Sequence, residues 1–297
     1  MKTIFAIAIS LSFAAFGFET FREAAAAGEA SFRAGQMEKA VTQFREAVKL
    51  APTARQKNNA LFRIAEALHR QRKFDDVLKE CTTALEQPNP LPADAGMFHF
   101  YIQRALASKN APIDDILPHC RQVITLLPGH WVANSARSTA TQLLSARSVK
   151  RFDEAIALNL LYLEKDEMSA SAEFETHVSL CRLYMAKNQL PQAAQSLEKA
   201  RALLADDTIF KAAQGKFALV NGELLRKKRD FDGAIAEFMK VPTAEGMTRR
   251  EISDSWNQAA EAAYAKKDFQ TAKEYASKAS YPNAWLIKVI DEALQKK

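Results

Sequence analysis

A set of core positions recurs along this chain at near-constant intervals, and that period constrains the fold more than any other feature. Ala40, Val77, Ile116, Ala155, Ala193, Ala234 and Ala272 each follow a short turn and open a stripe with further core positions four and seven residues later. The intervals are 37, 39, 39, 38, 41 and 38 residues. A repeat of this size predicts a solenoid, in which each unit buries its apolar face only by stacking on its neighbours. The shared core overrides the two domains that 297 residues alone would suggest. Solenoids present binding surfaces far more often than active sites.

Each unit reads as two antiparallel helices. With 9 Gly and 10 Pro in the whole chain, little interrupts helix formation. In the first unit Gly28 to Gly35 closes helix A, and helix B shows Ala40, Phe44 and Ala47 before Pro52 stops it. The second has Leu61, Ile64, Ala65 and Leu68, then Phe74, Val77, Cys81 and Ala84, then Pro88 and Pro90. The third unit is looser, and in the fourth the polar Asn159 stands at a core slot, a departure from the repeat pattern. The seventh is the clearest, with Trp256, Ala259, Ala260, Tyr264, Phe269, Ala272, Ala276 and Ala279. The units are predicted near 21–54, 58–91, 97–130, 136–169, 174–207, 215–248 and 253–286. A last amphipathic helix over 282–296 is expected to cap the open end with Trp285, Ile287 and Ile290 inward and Lys296 and Lys297 outward.

Trp256, Ala260, Phe269, Ala272 and Ala279 in one unit, and Ala40, Phe44, Ala47 and Pro52 in another, resemble the tetratricopeptide repeat. The resemblance covers roughly residues 19–286 and departs in period, which averages about 38.7 here against the family's usual 34 residues. It implies an all-α, right-handed superhelical solenoid of about seven helix pairs plus a C-terminal capping helix, acting as a non-enzymatic interaction scaffold. Its groove would be lined by non-motif positions of helix A. Carried over, these are Phe32, Arg33, Phe62, Glu66, His69 and Arg70, then Arg147, Arg182, Met185, Arg226, Lys227 and Tyr264. Such a mixture of cations and apolar side chains suits an extended peptide or an acidic segment. Ala25 and Glu29 stand where family members that clamp a C-terminal carboxylate carry polar anchors.

The first residues read as a targeting signal. Lys2 precedes an uncharged, mostly apolar stretch from Thr3 to Phe18, too short for the roughly 20 residues of a span. Ala15-Phe16-Gly17 offers a cleavage site, and Ser12-Phe13-Ala14 a second. The expectation is a signal peptide over 1–17, a mature chain over 18–297 with no membrane span, and export to a periplasm or beyond. A retained membrane anchor is the alternative.

Other chemistry is excluded or explained by structure. Net charge is +6, or +5 without Lys2, and the charges are interspersed; only Arg226–Arg229 forms a cluster, so no nucleic acid is expected. His69, His99, His119, His130 and His177 never fall at ligand spacing, so neither metal nor cofactor is expected. Cys81 and Cys120 share a slot in consecutive units and Cys181 lies on a first-helix core face, which predicts buried thiols without disulfides. Asp75-Asp76, Asp114-Asp115 and Asp206-Asp207 are expected at helix starts, satisfying open N–H groups. A small-molecule or enzymatic solenoid would instead need a deep, closed pocket.

Overall fold

A computed structural model describes residues 17–87, 90–164 and 168–295. The predicted signal segment apart from Gly17, together with Pro88, Lys296 and Lys297, lies outside these residues. Within them the fold is an all-α helical-repeat solenoid. Its helices are α1 (Phe21–Arg33), α2 (Met37–Leu50), α3 (Ala54–Arg70), α4 (Phe74–Leu85), α5 (Pro92–Ser108), α6 (Ile113–Leu126), α7 (Trp131–Ser145) and α8 (Phe152–Leu163). They continue as α9 (Ala170–Ala186), α10 (Leu190–Leu203), α11 (Ala213–Lys227), α12 (Phe231–Phe238), α13 (Arg249–Ala265), α14 (Phe269–Lys278) and α15 (Ala284–Gln295). The chain divides into two compact units, Met1–Ala111 and Pro112–Lys297, with α1–α5 in the first and α6–α15 in the second.

Inside each unit every helix packs on the next, and odd-numbered helices also touch one another: α3 with α5 in the first unit, and α7 with α9, α9 with α11 and α11 with α13 in the second. The odd helices therefore form a layer of their own. Phe44, Ile64, Val77 and Phe98 fill the core of the first unit. Phe174, Leu197 and Val220, then Phe238 and Ala262, then Leu286 and Ile290, do so along the second. Two pairs show how size is matched across a helix pair. A Cβ added at Gly28 would come within 2.6 Å of the Phe44 ring, and one at Gly222 within 2.5 Å of the Phe238 ring. In the corresponding positions elsewhere, Ala65 with Cys81 and Ala260 with Ala276, a smaller partner leaves room for a methyl group. Interior packing tolerates neither the void nor the overlap.

Each turn between an odd helix and the following even one holds a single residue in the left-handed region. These are Gly35 (φ 76°), Arg72 (61°), Asn110 (53°), Lys150 (53°), Asn188 (58°), Arg229 (66°) and Lys267 (69°). In six of the seven, the next N–H reaches back five residues to a helix carbonyl: Gln36 to Ser31, Lys73 to Leu68, Ala111 to Leu106, Gln189 to Tyr184, Asp230 to Leu225 and Asp268 to Ala263. This is the Schellman closure, which satisfies carbonyls the helix end leaves open. In the fourth turn Arg151 reaches Leu144 instead, because residues 146–149 lengthen the connection.

The second residue of five even-numbered helices is acidic, and each takes a cation from the next turn of the same unit. Glu38 pairs with Lys73 at 3.3 Å and Asp75 with Lys109. Asp114 pairs with Arg151 at 2.7 Å, Asp153 with Lys187, and Asp232 with Lys266 at 2.5 Å. This corrects the expectation of capping. Asp75-Asp76 and Asp114-Asp115 do occupy first turns, where the macrodipole favours them, but the N-caps Lys73 and Pro112 make no side-chain cap bond. Asp206-Asp207 lies in the loop between α10 and α11, where Asp206 accepts from the Thr208 N–H and hydroxyl. At the C-terminal end, Leu286 and Ile290 are buried one turn apart, whereas Trp285 points outward at 65% exposure. The three cysteines are buried and form no disulfide.

Candidate partner-binding groove

The layer of odd helices in the second unit carries a groove with two adjoining chambers. The first, 340 Å³, is walled by Arg137 and Ser138 of α7, Phe174, Glu175, Val178, Ser179 and Arg182 of α9, Lys216 and Leu219 of α11, and Glu251 and Asp254 of α13. The second, 270 Å³, is walled by Arg182, Leu219, Glu223, Asp254, Asn257, Gln258, Glu261 and Asn283. Arg182, Leu219 and Asp254 border both. No even-numbered helix contributes a wall residue to either chamber.

Most charges in the groove are already matched across neighbouring helices. Both Glu223 carboxylate oxygens accept from Arg182, each at 3.0 Å. Lys216 pairs with Glu175 at 3.5 Å, and Arg226 with Glu261 at 2.8 Å. Arg137 is different. It is 2% exposed and forms no salt bridge among the described residues. Its guanidinium donates to Asn159 Oδ1 at 2.7 Å, to Ser179 Oγ at 3.3 Å and to Asn134 Oδ1 at 2.7 Å, and its charge lies 5.5 Å from the centre of the Tyr162 ring. Burial draws its pKa below the ordinary value, against the opposing pull of Tyr162 and Glu175. Asn159, the polar residue at a core slot, is thus the partner of a buried cation. Its own amide donates to Thr141 Oγ1 at 2.8 Å and the Ala155 carbonyl at 2.7 Å.

The first unit has its own cavity of 440 Å³, lined mainly by apolar surface of α1 and α3 with Phe44 of α2, and bordered by Glu29 and Arg63. Arg63 donates to both oxygens of Glu29, at 2.5 and 2.6 Å, and lies 4.1 Å above the Phe32 ring. Glu66 accepts from Arg70 at 3.2 Å and Arg104 at 2.9 Å. Burial raises the Glu66 pKa, and these two guanidiniums outweigh it, so the net shift is downward.

Of the twelve residues predicted to face a partner, Arg182 borders both chambers, and Arg226 is tied to Glu261 on the wall of the second. Phe32 and Met185 lie in the cores at 6% exposure. Phe62 packs on Phe98 at 4.8 Å and Tyr101 at 6.3 Å. His69 meets Phe74 at 5.2 Å, and Tyr264 meets Phe269 at 5.4 Å. Arg70 lies 4.3 Å above the Phe32 ring. Arg33 and Lys227 are exposed at helix ends, and Arg147 is exposed in the turn after α7. Phe32, His69, Arg147, Met185, Arg226 and Tyr264 share one slot, three residues before the left-handed residue. At His69 and Tyr264 that slot closes the turn against the first residue of the next helix. Arg137, Lys216, Glu251, Asp254 and Gln258, which wall the chambers, were missed. The usable signal was their position nearer the start or middle of each odd helix, off the motif stripe.

A stack of helix pairs with a groove on one layer is the architecture of a helical-repeat protein. Residues 25–53, most of α1 and all of α2, match the tetratricopeptide repeat family. A search of curated proteins finds no match. A solved tetratricopeptide repeat protein from Parabacteroides merdae is similar at 15% identity and a TM-score of 0.54, over 93% of this chain and 98% of that one. The Cut9–Hcn1 hetero-tetramer of the APC/C is similar at 12% identity and 0.52, over 88% of this chain and 46% of that one. Apo RapI is similar at 11% identity and 0.50, over 93% and 99%. At these identities the likeness shows the fold alone. The chain carries a tetratricopeptide repeat and has the fold of tetratricopeptide-repeat proteins, which generally serve as protein-interaction scaffolds.

Proposed function

We propose that this chain is an exported, non-enzymatic scaffold that holds an extended segment of a protein partner in the groove of its second unit, in a role in cell-envelope assembly. The groove carries the reading: two adjoining chambers, walled by successive odd helices, share Arg182, Leu219 and Asp254. A run of adjoining chambers suits a chain that lies across several helices, whereas a single closed cavity would suit a small molecule. The cross-helix pairs hold the groove side chains in place before a partner arrives, which lowers the ordering cost of binding. Export is supported by the uncharged, mostly apolar stretch from Thr3 to Phe18 that follows Lys2.

A photo-crosslinking residue at exposed Ser138 in the groove, compared with one at exposed Gln195 on α10, tests the reading in the producing cell. A discrete protein adduct from position 138 and none from 195 is expected. Equal yields from both would refute the groove. Mass spectrometry of the mature N-terminus separates the exported form from an anchored one, since an intact Met1 excludes cleavage.

A further inference from the structure

The second chamber has acceptors left over after its internal pairs are made. Arg182 is committed to Glu223 through both carboxylate oxygens. Glu261 receives Arg226 on Oε2 only. Asp254, which is exposed, has neither a cation nor a hydrogen-bond donor among the described residues. Gln258 Oε1 accepts nothing among the described residues but is buried out of reach of an occupant. The other amide oxygens are occupied: Asn257 Oδ1 accepts from the Asn283 N–H at 3.1 Å, and Asn283 Oδ1 from the Leu286 N–H at 3.2 Å. What remains facing a 270 Å³ space is an acid and half of a second acid. On a chain of net charge +6 this excess of acceptors runs against the average surface.

We infer that the second chamber takes a basic side chain, arginine or lysine, of the partner segment, anchored on Asp254 with Glu261 as a further acceptor. The inference rests on the groove reading and names the chemistry of its occupant. A guanidinium or ammonium brings donors only, which is the complement of these leftover groups. A metal ion fits poorly, because no three His, Cys, Asp or Glu among the described residues are grouped to hold one. The choice is opposite in sign to the acidic segment that the row of cations suggested from the sequence, since the two of those cations at the chambers, Arg182 and Arg226, are spent on Glu223 and Glu261.

The test selects a random 12-residue peptide display library on the full chain. An extended peptide of that length reaches about 40 Å, enough to cross both chambers. Selected peptides should carry Arg or Lys and should lose about tenfold in affinity for Asp254→Asn. Replacing the peptide's basic residue with norleucine should cost a similar factor, and the two losses should not multiply. Asp254→Glu should restore most of the binding. Ser138→Trp, which fills the first chamber from an exposed position, reads the groove separately. Peptides that fail on Ser138→Trp, yet lack a basic residue and ignore Asp254→Asn, would overturn the basic anchor and leave the groove standing. Peptides indifferent to both substitutions, or no selectable peptide, would overturn both.

Discussion

Lys267 occupies a backbone conformation that suits glycine, and replacing it should stabilise the protein. Its φ is 69°, and the N–H groups of Lys267 and Asp268 close α13 by donating to the Tyr264 and Ala263 carbonyls. A residue with a Cβ pays about 1–2 kcal/mol in the left-handed region. Glycine escapes that strain but adds about 0.5–1 kcal/mol of unfolded-state entropy. Lys267→Gly should therefore gain about 0.5–1 kcal/mol. Lys150 and Arg229 sit in the same conformation in the same unit, and distant sites add, so the triple glycine variant should gain about 1.5–3 kcal/mol. Gly35 isolates the backbone effect with the opposite sign. A Cβ there would meet nothing within 4 Å, so Gly35→Ala should lose about 1 kcal/mol from strain alone.

Urea unfolding followed by tryptophan fluorescence reads the second unit, because Trp131, Trp256 and Trp285 all lie in it. Gly35→Ala, in the first unit, needs far-UV circular dichroism. A rise in midpoint at constant slope is the expected result for the glycine variants. Lys267→Ala is the decisive control. It removes the same charge and keeps the Cβ, so it should leave the midpoint nearly unchanged. If alanine stabilises as much as glycine, relief of charge repulsion is the cause and the backbone argument is wrong.

Gly222→Ala should cost about 1–3 kcal/mol through overlap with the Phe238 ring, and Phe238→Leu in the same chain should recover part of that loss; simple addition of the two losses would refute the matched-size account. His177 is 5% exposed, with a buried Nδ1 that has no partner among the described residues, and burial pulls its pKa below the ordinary 6.5 although Glu173 opposes this. The unfolded chain then takes up the proton first on acidification, so His177 contributes stability that is present above the ordinary value and lost as pH falls through the depressed one. Thermal melts between about pH 7 and about pH 5 should show a falling midpoint, with a shallower fall in His177→Gln; an unchanged slope would assign the effect to other groups.

The fold was legible because packing repeats the same demand in every unit. Ala40, Val77, Ala193 and Ala272 are each fully buried, and their spacing appears in one sequence without any homologue. The left-handed turn residues were not legible, although they recur as regularly. Glycine marks only the first, while Arg72, Lys150, Arg229 and Lys267 look like ordinary surface cations. At Arg72, Arg229 and Lys267 the Schellman hydrogen bonds override a local backbone preference. Arg137 was hidden for a related reason. An arginine on an amphipathic helix reads as solvated, and nothing local reveals that Asn134, Asn159 and Ser179 converge on it from α7, α8 and α9.

The groove was the least legible part, and the charge pairs that join odd helices within each unit explain why. Glu29 with Arg63, Glu66 with Arg104, Glu175 with Lys216, Arg182 with Glu223 and Arg226 with Glu261 each join successive odd helices across 34 to 41 residues of sequence. Counting cations along the chain therefore overstates the positive charge offered to a partner. What remains after cancellation on the chamber walls is buried Arg137, Glu251, which caps α13 with Thr248, and open Asp254. A partly exposed pair contributes about 0–1 kcal/mol to stability, so losing one member costs the fold little. The freed partner in the groove then alters which ligand charge is favoured, by about tenfold for each charge-assisted contact. Removing the Glu223 carboxylate, for instance, would release Arg182 between the two chambers and turn a groove that favours a basic side chain toward an acidic one. In such a scaffold specificity is a small difference between charges that mostly cancel, and it can change while every packing position stays as it is.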